Sequence, residues 1–108
     1  LTFYTLLGFA KKSNKLVSGM TNCLYAIRKK KARLVIITED AGINRKKVVR
    51  ECQSQDIPFV EFGNRDEYLK FLGQNPACYW AVLSQEIAEG LIRELGKEKV
   101  RAKQYGGD

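Results

Sequence analysis

The chain has 108 residues, 44% hydrophobic and 29% charged, with a formal net charge of +7. That size and balance describe one soluble domain with a single core, and no apolar run approaches the roughly 20 residues needed to cross a bilayer. The absence of histidine excludes Ser-His and Cys-His catalytic pairs and His metal ligands.

Residues 2–10 place Phe3, Leu6, Leu7 and Ala10 at the spacing of an amphipathic helix, with Thr2 as its cap. Without a basic leader or a small-residue cleavage site, this segment is read as a core helix. A short strand over 15–18 follows. Gly19 opens a second helix to about residue 31. Met20, Cys23, Leu24 and Ile27 share one side of it; Thr21, Asn22, Tyr25, Arg28 and Lys29 share the other. Residues 33–38, RLVIIT, form a continuous apolar, β-branched run, the pattern of a strand covered on both faces. Asn44 is placed to cap a third helix over 45–56, with Ile43 stapled on Val48. Residues 57–62 read as a strand with Pro58 near its start.

Asn64-Arg65-Asp66-Glu67 has the form of a capping box for a fourth helix that Gly73 ends. Residues 78–83 are another buried strand. Ser84 caps the last helix, whose stripe is Ile87, Leu91, Ile92 and Leu95, and Gly96 stops it. Residues 1–96 form one domain, and the polar segment 97–108 is expected to fray. Helices alternating with buried strands define an α/β fold, a three-layer α/β/α sandwich. Cys23, Cys52 and Cys78 are odd in number and lack a C-x-x-C spacing. Buried, reduced thiols are expected, hence a reducing, cytoplasmic setting. No metal site, cofactor or catalytic residue is expected.

The charge is one-sided. Residues 1–38 carry eight Lys and Arg and no Asp or Glu; the remaining 70 residues carry 11 basic and 12 acidic side chains. Such asymmetry suits a polyanion, and RNA is the leading candidate. The start of the second helix is the first candidate site. A helix N-terminus presents free N–H groups and partial positive charge, and Gly19 leaves that backbone bare. Thr21, Asn22 and Tyr25 supply a hydroxyl, an amide and a ring for base-edge bonding and stacking, with Lys15 before the turn and Arg28 and Lys29 beyond it. A plain glycine entry to an amphipathic helix is the alternative. Arg28 to Lys31 also suit a helix C-terminus on their own account. Arg45-Lys46-Lys47 stand at the unfavourable end of the third helix, an arrangement that suggests either anion binding or solvated surface.

KLVSGMTNCLYAIRKKKARLVIITEDAGINRKKV, continuing to IPFVEFGNRDEYLKFLG, resembles the kink-turn-binding ribosomal-protein family, the superfamily of the large-subunit proteins "seven-Ae" and "thirty-e". The likeness is to its small bacterial branch, the YlxQ-type proteins, and spans about residues 2–95. It rests on Gly19 before the second helix, the buried strand running into Glu39-Asp40-Ala41, and the Ile57-Pro58-Phe59-Val60 strand. It implies a mixed four-stranded sheet between helix layers and non-catalytic binding of sharply bent RNA internal loops. The family motif, Gly-x-Asn-Glu followed three residues on by Lys, falls on Gly19, Thr21, Asn22 and Tyr25, with only the glycine retained. A family acidic contact falls on Gly42, a family Lys on Arg65, and the recognition loop on Gln74 and Asn75.

The expected RNA-binding set is therefore Lys15, Gly19, Met20, Thr21, Asn22, Tyr25, Arg28, Lys46, Arg65, Gln74 and Asn75. The expected partner is structured RNA, ribosomal RNA foremost, with ribosomal proteins as further partners, no membrane, and a monomer when free. The alternative is a protein-interaction module of the ribosome or transcription machinery whose RNA role has decayed.

Overall fold

Four consecutive buried residues, Leu34-Val35-Ile36-Ile37, form the central strand of the sheet. The structure, a computed structural model, describes residues 2–73, 77–96 and 100–101. Its elements in order are α1 (Phe3–Lys12), β1 (Leu16–Ser18), α2 (Met20–Arg28), β2 (Leu34–Ile37), α3 (Arg45–Ser54), β3 (Phe59–Glu61), α4 (Arg65–Leu72), β4 (Tyr79–Val82), α5 (Gln85–Leu95) and β5 (Val100–Arg101). The sheet order is β1-β4-β2-β3-β5. Strands β2 and β3 are parallel, and β4 runs antiparallel between β1 and β2. The sheet is thus mixed, with a four-stranded body.

Successive side chains of a strand point to opposite faces, and β2 shows the consequence. Leu34 and Ile36 pack with Phe3 and Leu7 of α1, Tyr68 of α4 and Leu91 of α5. Val35 and Ile37 pack with Cys23 and Ile27 of α2 and Val48 and Cys52 of α3. Helices therefore cover both faces, and the fold is a three-layer α/β/α sandwich. Trp80 of β4 and Tyr68 are fully buried, and each keeps a polar partner. Trp80 Nε1 donates to the Ala77 carbonyl at 3.2 Å, and the Tyr68 hydroxyl to the Phe62 carbonyl at 2.6 Å.

The caps account for most element boundaries. Thr2 accepts from the Thr5 N–H, Ser84 accepts from the Ile87 N–H, and Asn64 with Glu67 makes a complete capping box. Gly73 ends α4 in the left-handed conformation. Three expectations fail. Asn44 is itself helical in conformation and its side chain makes no cap. Ile43 is 92% exposed, so no staple forms on Val48; the residues before α3 turn under the Arg45 N–H to Gly42 carbonyl bond instead. The second helix ends at Arg28, because Lys30 takes a φ of 59° and the chain reverses there. Within the segment expected to fray, Val100–Arg101 pair antiparallel with β3 and cover its outer edge; an edge strand offers unpaired N–H and C=O groups for this.

Candidate nucleic-acid interface

The register fixes what lies at each end of the sheet. At one end Gly19 N–H donates to the Tyr79 carbonyl at 2.9 Å, Thr38 N–H to the Cys78 carbonyl at 2.9 Å, and Glu39 N–H to the Gly63 carbonyl at 2.7 Å. The ends of β1, β2 and β3 and the start of β4 thus form one row. Three strand spacings separate Gly19 from Gly63, about 14 Å.

Helix α2 begins on this row. Gly19 adopts φ 91° and ψ 152° as its N-cap, with no side-chain cap bond and no acidic residue in the first turn. That backbone region is open essentially to glycine alone, and a Cβ added there would meet no heavy atom within 4 Å. The first N–H groups of the helix lack intrahelical acceptors. Thr21 and Asn22 are exposed there. Asn22 folds back, its Nδ2 donating to the Ser18 carbonyl at 3.0 Å. Met20 is half-buried and packs on the core beneath α2 and α3.

Two further helices begin at the same end. Arg45, in the first turn of α3, pairs its Nη1 with Glu61 Oε2 at 2.7 Å, so that cation is held by the end of β3. Lys46 beside it is exposed and has no ion-pair partner among the described residues. Arg65 opens α4. Its backbone N–H lies 3.3 Å from Asp40 Oδ1, and its Nε lies 3.4 Å from Asp40 Oδ2. The Asp40 carboxyl is held below its ordinary range, first by the Thr38 hydroxyl that approaches it, then by the Arg65 N–H and guanidinium, with partial burial acting in opposition. The Tyr79 hydroxyl is pushed up by burial and by Cys78, with Arg45 pulling the other way.

Gly19, Met20, Thr21, Asn22, Lys46 and Arg65 therefore share one end of the sheet. Lys15 and Arg28 do not. Lys15 stands before β1 while Gly19 stands after it, about 13 Å along an extended strand. Arg28 closes α2 at the far end of the helix and pairs with Glu51 at 3.1 Å. The expected ring of cations around the helix start is thus divided between the two ends. Tyr25 is 56% exposed and lies between them on the outer side of α2. Gln74 and Asn75 lie outside the described residues. The pairing of Asp40 with Arg65 and of Glu61 with Arg45 was not foreseen in the sequence; each spans at least 16 positions, a relation no local pattern carries. Among the described residues no group of three or more His, Cys, Asp or Glu side chains could hold a metal ion, and no helix is long and apolar enough to cross a membrane.

Residues 2–91 match the ribosomal protein L7Ae/L30e/S12e/Gadd45 family. The chain belongs to this family. Two similar proteins carry the name RNA-binding protein YlxQ. One, from Bacillus subtilis (strain 168), is 33% identical over 96 residues, covering 88% of this chain and 96% of that protein. The other, from Enterococcus faecium, is 31% identical over 92 residues, covering 79% and 89%. Among solved structures, a protein with unknown function from Bacillus halodurans C superposes with a TM-score of 0.80 at 27% identity, covering 86% of this chain and 95% of that one. The Giardia lamblia 15.5kD RNA binding protein superposes with a TM-score of 0.70 at 18% identity, covering 89% and 82%; that likeness is one of fold.

Proposed function

We propose that this chain binds structured RNA, without catalysing a reaction on it, at the sheet end where α2, α3 and α4 begin. The observation that carries the reading is the start of α2: an uncapped helix terminus behind a glycine, free of acidic side chains, with Thr21 and Asn22 exposed beside it. Backbone N–H groups there take a phosphate or a base edge, while Thr21 and Asn22 supply further base-edge contacts. Lys46 and Arg65 neutralise phosphates on the far side of the row. Names of similar proteins and family membership support RNA as the ligand class. The finer reading is a bent internal loop of ribosomal RNA, bound alongside ribosomal proteins.

The test is binding to a kink-turn RNA, an unrelated hairpin and a plain duplex across a salt series. Preference for the kink-turn supports the whole reading. Equal affinities with a steep salt slope keep RNA and discard the bent-loop specificity. No saturable binding at low salt ends the proposal. A second reading, a protein-interaction module, is favoured by the exposed Phe9 in a groove between α1 and α5 that Leu6 and Ile87 also line. Partners that survive nuclease treatment in a pull-down would select it.

A further inference from the structure

Lys15, Lys29, Lys30, Lys31 and Arg33 gather at the end of the molecule opposite the start of α2. Leu16, Val82 and Leu34 form one row across β1, β4 and β2. Lys15 and Arg33 stand one residue beyond it, about 10 Å apart on either side of β4. Backbone bonds hold both in place: Leu83 N–H donates to the Lys15 carbonyl at 2.8 Å, and Arg33 N–H to the Val82 carbonyl at 2.7 Å. The turn after α2 is closed as tightly. Lys30 N–H donates to Ile27, and the Lys31 and Ala32 N–H groups to Ala26. All three lysines of the turn are exposed. The Lys29 and Lys31 ammonium groups each lie 5.8 Å from the centre of the Tyr25 ring. One aromatic ring thus holds two like charges near it.

Beside them Lys30 and Arg33 line a cleft of about 240 Å³, whose other walls carry Gln55, Asp56 and Gln85. None of the five cations has an ion-pair partner among the described residues, whereas Arg28, Arg45 and Arg65 do. The dipole of α2 favours cations at its own C-terminus, but it does not account for Lys15 and Arg33, which flank strands. The cleft lies below the volume range of about 300–1,000 Å³ typical for a whole small-molecule ligand.

We propose that this cleft is a second RNA contact that takes one nucleotide of a single-stranded or bulged segment. The phosphate sits between Lys30 and Arg33. The base edge meets the Asp56 carboxylate and the Gln55 and Gln85 amides, which together offer donors and acceptors to an unstacked base. Gln85 already spends one N–H on Glu89 at 3.0 Å; its carbonyl oxygen accepts from the base. Tyr25 with its two lysines is the platform for the neighbouring nucleotide. The inference rests on the RNA-binding reading but concerns the opposite end of the molecule.

The probes are one hairpin RNA made blunt and made with a single-stranded tail, titrated into the labelled protein at about 0.15 M salt, where charges farther than about 8 Å apart are screened. With the tailed RNA, amide resonances of Lys30, Ala32, Gln55 and Gln85 shift together with those of Thr21 and Asn22; with the blunt RNA only the second set shifts. The double variant Lys30→Glu, Arg33→Glu loses about tenfold in affinity for the tailed RNA. It loses about 0.7 from the salt slope, one single-strand phosphate contact, and keeps its affinity for the blunt RNA. Shifts confined to Thr21 and Asn22 overturn the second contact and leave the first intact. Equal losses on both RNAs make this end a general phosphate surface and also overturn it. No shift at either end overturns RNA binding itself. Should the double variant unfold, the shifts on the parent chain decide.

Discussion

Gly8 and Gly19 give a matched pair of substitutions that differ in backbone alone. At each, an added Cβ would meet no heavy atom within 4 Å, so sterics between side chains contribute nothing. Gly8 lies inside α1, where alanine is favoured over glycine by roughly 0.5–1 kcal/mol. Gly19 sits at φ 91°, ψ 152°, where a non-glycine residue carries a strain of roughly 1–3 kcal/mol. In a domain of this size each kcal/mol moves the melting temperature by about 4–8 °C. Gly19→Ala should therefore melt several degrees below the parent and Gly8→Ala a few degrees above it, by circular dichroism under identical conditions. The relaxed alternative is that the chain before α2 shifts so that Gly19 leaves the glycine-only region. In that case Gly19→Ala would melt with the parent. That outcome would refute the claim that β1 and the Tyr79 carbonyl hold Gly19 in this conformation, and with it the geometry of the exposed helix start.

The other expectations use the same physical quantities. Lys46→Glu removes a cation from the N-terminus of α3 and places an anion there, so unfolding should become harder by about 0.3–1 kcal/mol while RNA affinity falls; lower stability would contradict the dipole argument. Burial pushes the thiols of Cys23 and Cys52 up to about 12, whereas Cys78 is only half-buried. Alkylation of the native protein near neutral pH should label Cys78 first and leave the other two for the unfolded chain, read by mass. Asp40 titrates below its ordinary value of 3.8, so its contribution is present at neutral pH and is lost as pH falls through the folded-state value. Asp40→Asn should thus be slightly less stable than the parent at pH 7, with the gap closing on acidification; a gap that widens in acid would reverse the sign.

Much of the fold was legible because its determinants are local. The RLVIIT run could only be a strand covered on both faces, and β2 is one. The Asn64 capping box, Ser84 and Gly73 mark boundaries through bonds made within a few residues. Asn44 and Ile43 misled because a cap and a staple need an extended residue before the helix, and Asn44 is helical. Strand order was not legible. Placing β4 between β1 and β2 depends on which edges meet in space, and β5 is recruited by the free edge of β3 through backbone groups rather than by any apolar pattern. The candidate site was half legible for the same reason. Gly19, Thr21 and Asn22 belong together by helix geometry, but Lys15 and Arg28 are close to Gly19 in number only. A strand and a helix each carry the chain about 13 Å between these positions.

That separation changes what the +7 charge can do. The end with the open helix start is electrically mixed: it carries Glu39, Asp40 and Glu61, and two of its arginines are committed to Asp40 and Glu61. Five cations without ion-pair partners among the described residues, Lys15, Lys29, Lys30, Lys31 and Arg33, lie at the other end, while Lys46 stands at the open one. Phosphate contacts set affinity and its salt dependence, while base contacts set selectivity. The two ends should therefore separate under mutation. Thr21→Ala with Asn22→Ala should flatten the preference between a kink-turn RNA and a duplex, with the salt slope within about one unit of the parent. Asn22→Ala also removes the bond to the Ser18 carbonyl, so Thr21→Ala alone serves as the second measurement if the pair proves unstable. A double variant that kept full selectivity while its salt slope collapsed would mean that the helix start holds phosphates and reads no bases, and the assignment of Thr21 and Asn22 would have to be abandoned.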